Sequence, residues 1–275
     1  MRLAIYWDGG KARPGVVEGD FISPLADAGD CLAPLIASGE IPEPWRQARR
    51  PLSDVQILAP IRSTRFFCIG LNYQSHVAET QHDANERPSV FTRTAASLAA
   101  HGQPLWRPEA SESFDFEGEL ACIIGKPGRH ISRDDALNHV FGFTCFNDGS
   151  VRAYQKHSVT AGKNFERSGA IGPWIVTADE APAWDRMHLA TRLNGLDVQS
   201  VRTDQMLFGV PELIAYLSQV TTLHPGDVIA TGTPSGVGAR RTPPLWMKPG
   251  DRIEVTISGI GTLANPVVQE GETGS

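Results

Sequence analysis

The amino-acid sequence predicts an α+β fold in which strands dominate. Most apolar runs have the length of a strand, and they do not alternate with helices in the regular way of a parallel β-α-β sheet. The 27 glycines and 20 prolines supply many turns, as in strand-rich folds with long functional loops. Because 41% of the 275 residues are hydrophobic, the chain can bury a substantial core in one large domain with a small appendage.

The appendage is predicted to be a small α/β unit over residues 1–60, and the main domain covers residues 61–275. Short strands are expected within 3–23, and a short helix across 32–38. The segment 42–60 carries four prolines and is predicted to be a linker on the surface.

The main domain begins with an apolar run, Phe66–Gly70, which is predicted to be a buried strand followed by one or two helical turns. The clearest helix runs from Pro211 to Val220, because proline is favoured in a first turn and the apolar residues recur at helical spacing. The other predicted elements are a helix across 133–139 capped by Ser132 and strands across 227–231 and 252–258.

Charge and composition exclude several classes of partner. The net charge of −6 and the pI of about 5.8 argue against a general polyanion-binding surface, so no nucleic-acid partner is expected. No segment approaches the roughly 20 apolar residues of a membrane span, and the first residues lack the apolar core of a signal peptide. A soluble cytoplasmic protein is therefore expected. The four cysteines include no Cys-x-x-Cys motif, which argues against zinc and redox motifs.

Two glutamates, Glu117 and Glu119, lie two residues apart in an apolar run with the character of a strand. Because strand side chains alternate between faces, both carboxylates point the same way. A third acid, Asp148, ends another apolar run, and three oxygen ligands without Cys or His suit Mg²⁺, Mn²⁺ or Ca²⁺ better than Zn²⁺. On spacing alone, the solvated face of an amphipathic strand explains the two glutamates equally well.

Six sequence blocks, in order along residues 66–267, resemble the motifs of the fumarylacetoacetate hydrolase family. The blocks are Gly70-Leu-Asn-Tyr-Gln-Ser-His-Val-Ala-Glu79, Asp115-Phe-Glu-Gly-Glu-Leu-Ala121, the pair Asn147-Asp148, Gly162-Lys-Asn-Phe leading to Gly172-Pro-Trp-Ile-Val-Thr177, Pro225-Gly-Asp-Val-Ile-Ala-Thr-Gly-Thr-Pro-Ser-Gly-Val-Gly238 and Gly259-Ile-Gly-Thr-Leu-Ala-Asn-Pro-Val267. The resemblance implies a mixed β-sandwich roll, a homodimer, and an Mg²⁺ or Mn²⁺ site on the three acids. The apolar stretch 141–146 is expected to support the dimer interface.

The resemblance also assigns catalytic roles to His76, Glu79 and Lys163. His76 and Glu79 are three residues apart and share a face of a helical turn, a pattern that on its own is more often a contact on a helix surface. In hydrolases of the family, such a carboxylate orients the imidazole, which then takes a proton from water. Lys163 is expected to face the substrate and to stabilise enolate charge.

Five further residues are expected to contact the substrate from family positions: Arg152, Gln155, Thr233, Tyr73 and Arg93. The planar guanidinium of Arg152 can hold a carboxylate through two hydrogen bonds. Thr233 offers a hydroxyl within a Gly/Pro turn, although the conformation of the turn alone also explains that composition.

The chain departs from the family pattern at three positions. Ala153 stands where the family often has Asp, which predicts a missing partner for Arg152 or Lys163. Gly149 replaces a branched residue after the third acid and predicts a looser backbone there. Arg93 stands where the family commonly has Lys.

The resemblance implies an enzyme that hydrolyses a carbon–carbon bond in an acylpyruvate-like 2,4-dioxo acid. The alternative is an isomerase or decarboxylase of a 2-hydroxy-diene dioate that uses the same metal and enolate chemistry. A relative that binds metal or ligand without turnover is a third possibility. The group beyond C4 of the substrate is expected to lie against residues 81–89 and 202–209.

Overall fold

The computed structural model describes residues 1–26, 28–61, 65–80 and 86–272. Strands dominate these residues, which confirms the predicted strand-rich α+β class. In chain order the strands are β1 (Arg2–Asp8), β2 (Lys11–Glu18), β3 (Phe21–Pro24), β4 (Arg50–Pro51), β5 (Gln56–Leu58), β6 (Phe66–Gly70), β7 (Ser89–Arg93), β8 (Leu98–Ala100), β9 (Leu105–Arg107), β10 (Phe114–Asp115), β11 (Gly118–Ile124), β12 (Val140–Asn147), β13 (Ser150–Val151), β14 (Gly169–Thr177), β15 (His188–Leu193), β16 (Leu196–Arg202), β17 (Val228–Ala230), β18 (Arg252–Ile257) and β19 (Gly261–Gln269).

Helices are short and connect the strands. The α-helices are α1 (Ala33–Ser38), α2 (Gln74–Thr80), α3 (Arg152–Gln155), α4 (Val159–Lys163) and α5 (Val210–Val220). The 3-10 helices are Arg46–Ala48, Leu52–Asp54, Ala95–Ser97, Ala136–His139, Trp184–Arg186, Thr203–Gln205 and Gly238–Arg240. The predicted helix across 133–139 is therefore limited to a 3-10 turn, preceded by a bond from the Asp135 N–H to Ser132 Oγ at 3.2 Å.

One large mixed sheet of twelve strands forms the frame of the described residues. Its order is β4-β3-β2-β1-β14-β12-β11-β17-β6-β7, with β5 beside β1 and β8 beside β14. At its centre β11 and β12 are antiparallel, and Gly118 lies opposite Asn147. This register brings the start of β11 and the end of β12 together, so acids at those two points become neighbours.

A second sheet of five strands packs against the first, in the order β16-β15-β18-β19-β9. Apolar side chains of both sheets share one core, with Leu120 and Cys122 of β11 among the same buried cluster as Val255 and Ile257 of β18. Removal of this apolar surface from water is the main force that holds the two sheets together.

The N-terminal strands continue the large sheet. Strand β1 pairs with β14, with Leu3 opposite Ile175, and β5 lies antiparallel to β1. The segment 42–60 therefore contributes β4 and β5 to the sheet, and its prediction as a plain linker is wrong. The predicted domain boundary at residue 60 stays a prediction. Within the described chain, no helix combines the length and the apolar character that a membrane crossing requires.

Candidate active site

Three acids meet at the centre of the large sheet. Glu119 belongs to β11, Glu117 directly precedes that strand, and Asp148 directly follows β12. One carboxylate oxygen of each lies within 4.8 Å of the others, and all three residues are at most 6% exposed. We call these residues the acid triad. Its burial rules out the alternative in which the glutamates line a solvated strand face.

Backbone hydrogen bonds fix the acid triad in place. The Asp148 N–H donates to Glu117 O at 2.8 Å, and the Glu117 N–H donates to Asn147 Oδ1 at 3.1 Å. The carboxylate of Glu119 accepts from the Gly232 N–H at 2.9 Å. These bonds therefore hold the backbone at Glu117 and Asp148 and the carboxylate of Glu119.

Lys163, at the end of α4, lies between two of these acids. Its Nζ donates to Glu117 Oε2 at 2.6 Å, to Asp148 Oδ2 at 2.5 Å and to Asp148 O at 3.0 Å. An ammonium has three N–H donors, so these oxygens use all of them. Lys163 thus acts on this site as a fixed positive charge.

Arg152, at the start of α3, also reaches the acid triad. Its Nη2 donates to Glu117 Oε1 at 2.5 Å, its Nε to Asp115 Oδ2 at 2.8 Å and its Nη1 to Gln155 Oε1 at 2.8 Å. The predicted loss of a partner through Ala153 is therefore wrong, because Asp115 and Glu117 satisfy Arg152 without an acid at position 153.

Arg93 lies behind Asp148, where its side chain is fully buried. Its Nη1 donates to Asp148 Oδ1 at 2.6 Å and to Gly149 O at 2.9 Å, and its other donors reach Ser97 and Ser168. A side chain at Gly149 would place Cβ 1.8 Å from Ser168 O. Glycine is thus required here by close packing, which corrects the prediction of a looser backbone.

The crowding of charge shifts the pKa values of these groups. Burial, together with the charges of Asp148 and Glu117, raises the pKa of Glu119 well above its usual range. Burial also acts to raise the pKa of Glu117, but the positive charges of Lys163 and Arg152 outweigh it and lower that pKa to about 2. For Lys163, burial acts to lower the pKa, yet Asp148 and Glu117 raise it overall. Lys163 is therefore a persistent cation.

The donor set fits a hard divalent cation. Within the described residues, four buried carboxylates, those of the acid triad and Asp115, are paired with three cationic side chains, Arg93, Arg152 and Lys163. Burial first, and then the negative charges of Asp148 and Glu117, raise the pKa of Glu119, so this carboxylate lacks a compensating cation of its own among the described side chains. All available ligand atoms are oxygens, which suit Mg²⁺, Mn²⁺ or Ca²⁺.

His76 and Glu79 lie on α2, and we call this pair the dyad. His76 Nδ1 is 3.2 Å from Glu79 Oε2, and Glu79 Oε1 accepts from the Gly236 N–H at 2.9 Å. At the start of the helix, the Asn72 side chain donates to Thr231 O at 2.7 Å. Because His76 is only 6% exposed, the dyad is not a contact on a helix surface.

A cavity of about 760 Å³ is lined by one residue of each group, His76 of the dyad and Glu117 of the acid triad. Six of the predicted site residues line it: His76, Glu117, Arg152, Gln155, Lys163 and Thr233. The other five predicted site residues are absent from its described lining: Tyr73, Glu79, Arg93, Glu119 and Asp148. Tyr73 is fully buried in the core. The hydroxyl of Thr233 donates to Gly118 O at 3.0 Å and accepts from Gln199 Nε2 at 2.8 Å.

The stretches predicted to surround the outer part of the substrate are placed only in part. Residues 81–85 lie outside the described residues, whereas Ser89 lines the cavity. Residues 202–209 are not among the described residues that line it.

Sequence reasoning missed three residues of this region. Asp115 links Arg152 to the turn 238–240, because its carboxylate also accepts from the Gly238 and Ala239 N–H groups at 2.7 and 3.0 Å. Lys156 and Arg240 line the cavity. Asp115 lies in the motif 115–121 that resembles the family. No local pattern indicates Lys156 or Arg240, because each lies in a turn that only the folded chain brings to the cavity.

The similarity to known proteins extends over the residues of the site. The model of the fumarylacetoacetate (FAA) hydrolase C-terminal family matches residues 65–268. The chain belongs to the fumarylacetoacetate hydrolase family. The match includes the acid triad, the dyad and every predicted site residue.

Three relatives illustrate the range of the family. The oxaloacetate tautomerase YisK of Bacillus subtilis is 42% identical over 223 residues, 78% of this chain and 74% of that protein. A fumarylacetoacetate hydrolase structure from Exiguobacterium antarcticum has a TM-score of 0.89 at 36% identity, covering 98% of this chain and 100% of that chain. A maleylpyruvate hydrolase structure from Sphingobium, in complex with manganese and pyruvate, has a TM-score of 0.80 at 31% identity and covers 98% and 99%.

These relatives include both hydrolases and a tautomerase. The chain is therefore an enzyme of the fumarylacetoacetate hydrolase family with a buried acid triad able to hold a metal ion. The family membership alone does not distinguish the reactions, so the choice between them has to come from the site.

Proposed function

We propose that this protein is a metal-dependent isomerase that interconverts the keto and enol forms of a small 2-oxo acid of the oxaloacetate type. One observation carries the proposal. His76, with its Nδ1 held by Glu79, lines the same cavity as Glu117, whereas Lys163 is a cation whose donors are all engaged. Of these two groups, only His76 can take up a proton.

The roles of the side chains follow from this arrangement. A divalent ion held by the acid triad would supply a Lewis acid for the oxygens at the 2-oxo acid end of the substrate. His76 takes one proton from C3, and one proton reaches the oxygen at C2, so the reaction changes no oxidation state. Glu79 holds the imidazole ring in orientation and supports its positive charge after proton uptake. Lys163 and Arg152 place positive charge beside the negative charge that develops on the substrate as the proton leaves C3.

The similarity to an oxaloacetate tautomerase over 78% of the chain supports this reaction. Hydrolysis of an acylpyruvate is the second candidate, and it is favoured by the likeness to a maleylpyruvate hydrolase structure that contains manganese and pyruvate. In that reaction the dyad would deprotonate water rather than C3.

One set of measurements separates these reactions. Protein loaded with Mn²⁺ is given oxaloacetate in D₂O, and proton exchange at C3 is followed by NMR together with pyruvate formation. We expect faster C3 exchange and enol conversion than with Mn²⁺ alone, with little pyruvate. Pyruvate and CO₂ from oxaloacetate would indicate a decarboxylase, and cleavage of acetylpyruvate to acetate and pyruvate would indicate the hydrolase. Exchange no faster than with Mn²⁺ alone would refute the isomerase.

A further inference from the structure

A two-stranded sheet places Asp115 beside Arg152. Strands β10 and β13 are antiparallel, and Asp115 lies opposite Ser150. Arg152 begins α3 directly after β13, and its backbone N–H donates to Ser113 O at 2.9 Å. The Nε of Arg152 then donates to Asp115 Oδ2 at 2.8 Å. The pairing of the backbone therefore determines where this buried ion pair forms.

The carboxylate of Asp115 has no acceptor position left for a substrate or a metal ion. A carboxylate offers about four such positions, two on each oxygen. Oδ1 accepts from the N–H groups of Phe116 and Gly238 at 2.9 and 2.7 Å. Oδ2 accepts from the Ala239 N–H at 3.0 Å and from Arg152. Because Asp115 is also fully buried, it can affect the reaction only through the groups that it holds.

Arg152 is the one of these groups that reaches both the acid triad and the cavity. A guanidinium has five N–H donors. Three of those of Arg152 are engaged, by Asp115, by Gln155 Oε1 at 2.8 Å and by Glu117 Oε1 at 2.5 Å. The other two, one on each terminal nitrogen, bind no group of the described chain. They belong to a side chain that lines the cavity and is 17% exposed, so they can meet a ligand there.

Arg152 also determines the direction of a neighbouring amide. Since Gln155 Oε1 accepts from Arg152, the NH₂ group of the same amide remains for a ligand in the cavity, which Gln155 lines. On its other side, the guanidinium holds Glu117 of the acid triad. A single carboxylate, that of Asp115, thus orients a guanidinium that lies between a candidate metal ligand and an amide of the cavity wall.

We infer that Asp115 is a positioning residue for the reaction, which directs the two remaining N–H donors of Arg152 at the substrate oxygens where negative charge develops. The inference rests on the proposed function, because that charge arises from the loss of a proton at C3. A planar guanidinium acts through its direction as well as its charge. Without Asp115, Arg152 keeps its charge but loses its alignment, and a misplacement of about 1 Å can cost about 100-fold in rate.

The test compares Asp115→Asn with Asp227→Asn in the C3 exchange of oxaloacetate, measured in D₂O with protein saturated with Mn²⁺. Asparagine keeps the shape of the side chain but replaces one acceptor oxygen by a donor. Asp227 is the matched control, because it is buried and also accepts from an arginine and from a backbone N–H, Arg65 Nε at 2.8 Å and His224 N at 2.7 Å. It is not among the described residues that line the active-site cavity.

We expect Asp115→Asn to lower kcat for C3 exchange about 10- to 100-fold and to change KM for oxaloacetate by less than about 3-fold. Asp227→Asn should keep both constants within about 2-fold of the wild type, since its site is separate. Both variants lose a buried ion pair and should unfold at lower urea concentrations. Calorimetric titration with Mn²⁺ checks that each variant is saturated in the assay.

A double-mutant cycle with Arg152→Met shows whether Asp115 acts through the guanidinium. In the Arg152→Met background, the addition of Asp115→Asn should change kcat by less than about 2-fold, because the group that Asp115 directs is absent. A further loss as large as in the wild-type background would assign the effect to the turn 238–240 and overturn the inference.

Arg152→Lys tests the inference even if Asp115→Asn does not fold. Lysine keeps the positive charge but cannot bind Asp115, Glu117 and a ligand with a planar fork of donors. Its kcat should therefore fall about as far as that of Arg152→Met. Wild-type kcat in Arg152→Lys would show that the direction of the charge does not matter and would overturn the positioning role.

The remaining outcomes separate this inference from the proposed function. Wild-type kcat in Asp115→Asn, or equal losses in Asp115→Asn and Asp227→Asn, would overturn the positioning role and leave the isomerase standing. If wild-type protein exchanges C3 no faster than Mn²⁺ alone, the proposed function itself fails, and the positioning role in that reaction fails with it.

Discussion

The acid triad and the dyad each contribute one residue to the lining of the same cavity, yet the protein holds the two groups in different ways. The acid triad sits between two central strands, and Arg93, Arg152 and Lys163 surround it with buried ion pairs. The dyad lies on the seven residues of α2, where Glu79 bonds to the Gly236 N–H. Changes at the acid triad should therefore alter the stability of the fold as well as the reaction, whereas changes at the dyad should affect the reaction with little effect on stability.

The largest effect is expected from Glu119→Gln, which removes a metal ligand without changing the shape of the side chain. Turnover should fall about 10³- to 10⁵-fold, to the level of protein treated with excess chelator, because the Lewis acid is lost. Calorimetric titration with Mn²⁺ measures the expected loss of binding. Full activity in chelator or in this variant would refute the metal site, and Glu112→Gln, at a highly exposed glutamate, is the control.

The same variant should make the metal-free protein more stable at neutral pH. The folded-state pKa of Glu119 is raised, so its contribution favours folding at low pH and is lost as the pH rises through that pKa. Glutamine cannot ionise, so the Glu119→Gln variant does not lose stability in this way as the pH rises. The gain in unfolding free energy of Glu119→Gln over the wild type, measured by urea titration, should therefore grow from acidic to neutral pH.

At the dyad, His76→Ala should lower turnover about 10²- to 10⁴-fold, the usual range for a positioned acid–base group. Mn²⁺ affinity and the unfolding temperature should change little, since the acid triad is untouched. Glu79→Gln should lose less activity, because Glu79 orients the ring without transferring the proton. Wild-type turnover in His76→Ala, by the C3 exchange assay, would remove His76 from the reaction.

Arg93→Met tests whether the buried guanidinium of Arg93 stabilises the fold and the position of Asp148 in the acid triad. The variant leaves the Asp148 carboxylate buried without its guanidinium partner, so the unfolding free energy should fall by about 3–5 kcal/mol. Mn²⁺ affinity should fall about 10- to 100-fold through misplacement of Asp148. Arg50→Met, at a surface ion pair, should cost less than about 1 kcal/mol. Equal losses of unfolding free energy in the two variants would show that the buried ion pair contributes no more to stability than the surface pair.

The smallest expected effect is on the pH dependence of stability and comes from His101, which lies outside both the acid triad and the dyad. Burial, helped by the charge of Arg252, lowers the pKa of His101, whose Nδ1 accepts from the Ala264 N–H. A lowered folded-state pKa gives stability that is present above the unfolded value of about 6.5 and is lost as the pH falls. His101→Asn should flatten this part of the stability curve, measured by thermal unfolding between pH 5 and 8, while the pH dependence of activity stays unchanged.

Local sequence patterns indicated the relative direction of site residues on one element, and the resemblance to the family favoured a functional site over a solvated surface. The spacing of Glu117 and Glu119 predicted carboxylates that point the same way, the resemblance favoured a metal site with Asp148, and the structure brings the three within 4.8 Å of one another. The spacing of His76 and Glu79 likewise predicted the contact on α2. In each case the regular geometry of a strand or a helix fixes the relative direction of the side chains.

Contacts between distant segments were not predicted. Arg93 and Asp148 are 55 residues apart, so no local pattern indicates that the guanidinium faces the core rather than the cavity. The role of Gly149 depends on a carbonyl of Ser168 that only the folded chain brings near. The sheet strands within 42–60 were hidden by prolines, because the prolines suggested a linker while β5 pairs through its backbone with β1.

The anchoring of the turn 238–240 has a consequence for how the enzyme can diversify. Asp115 holds this turn through the N–H groups of Gly238 and Ala239, so the backbone does not depend on the side chains at 239 and 240. Substitutions at these two positions can therefore change the outer surface of the cavity at little cost in stability. A library randomised at 239 and 240 is an economical route to variants with new substrate ranges, because the acid triad and the dyad stay intact.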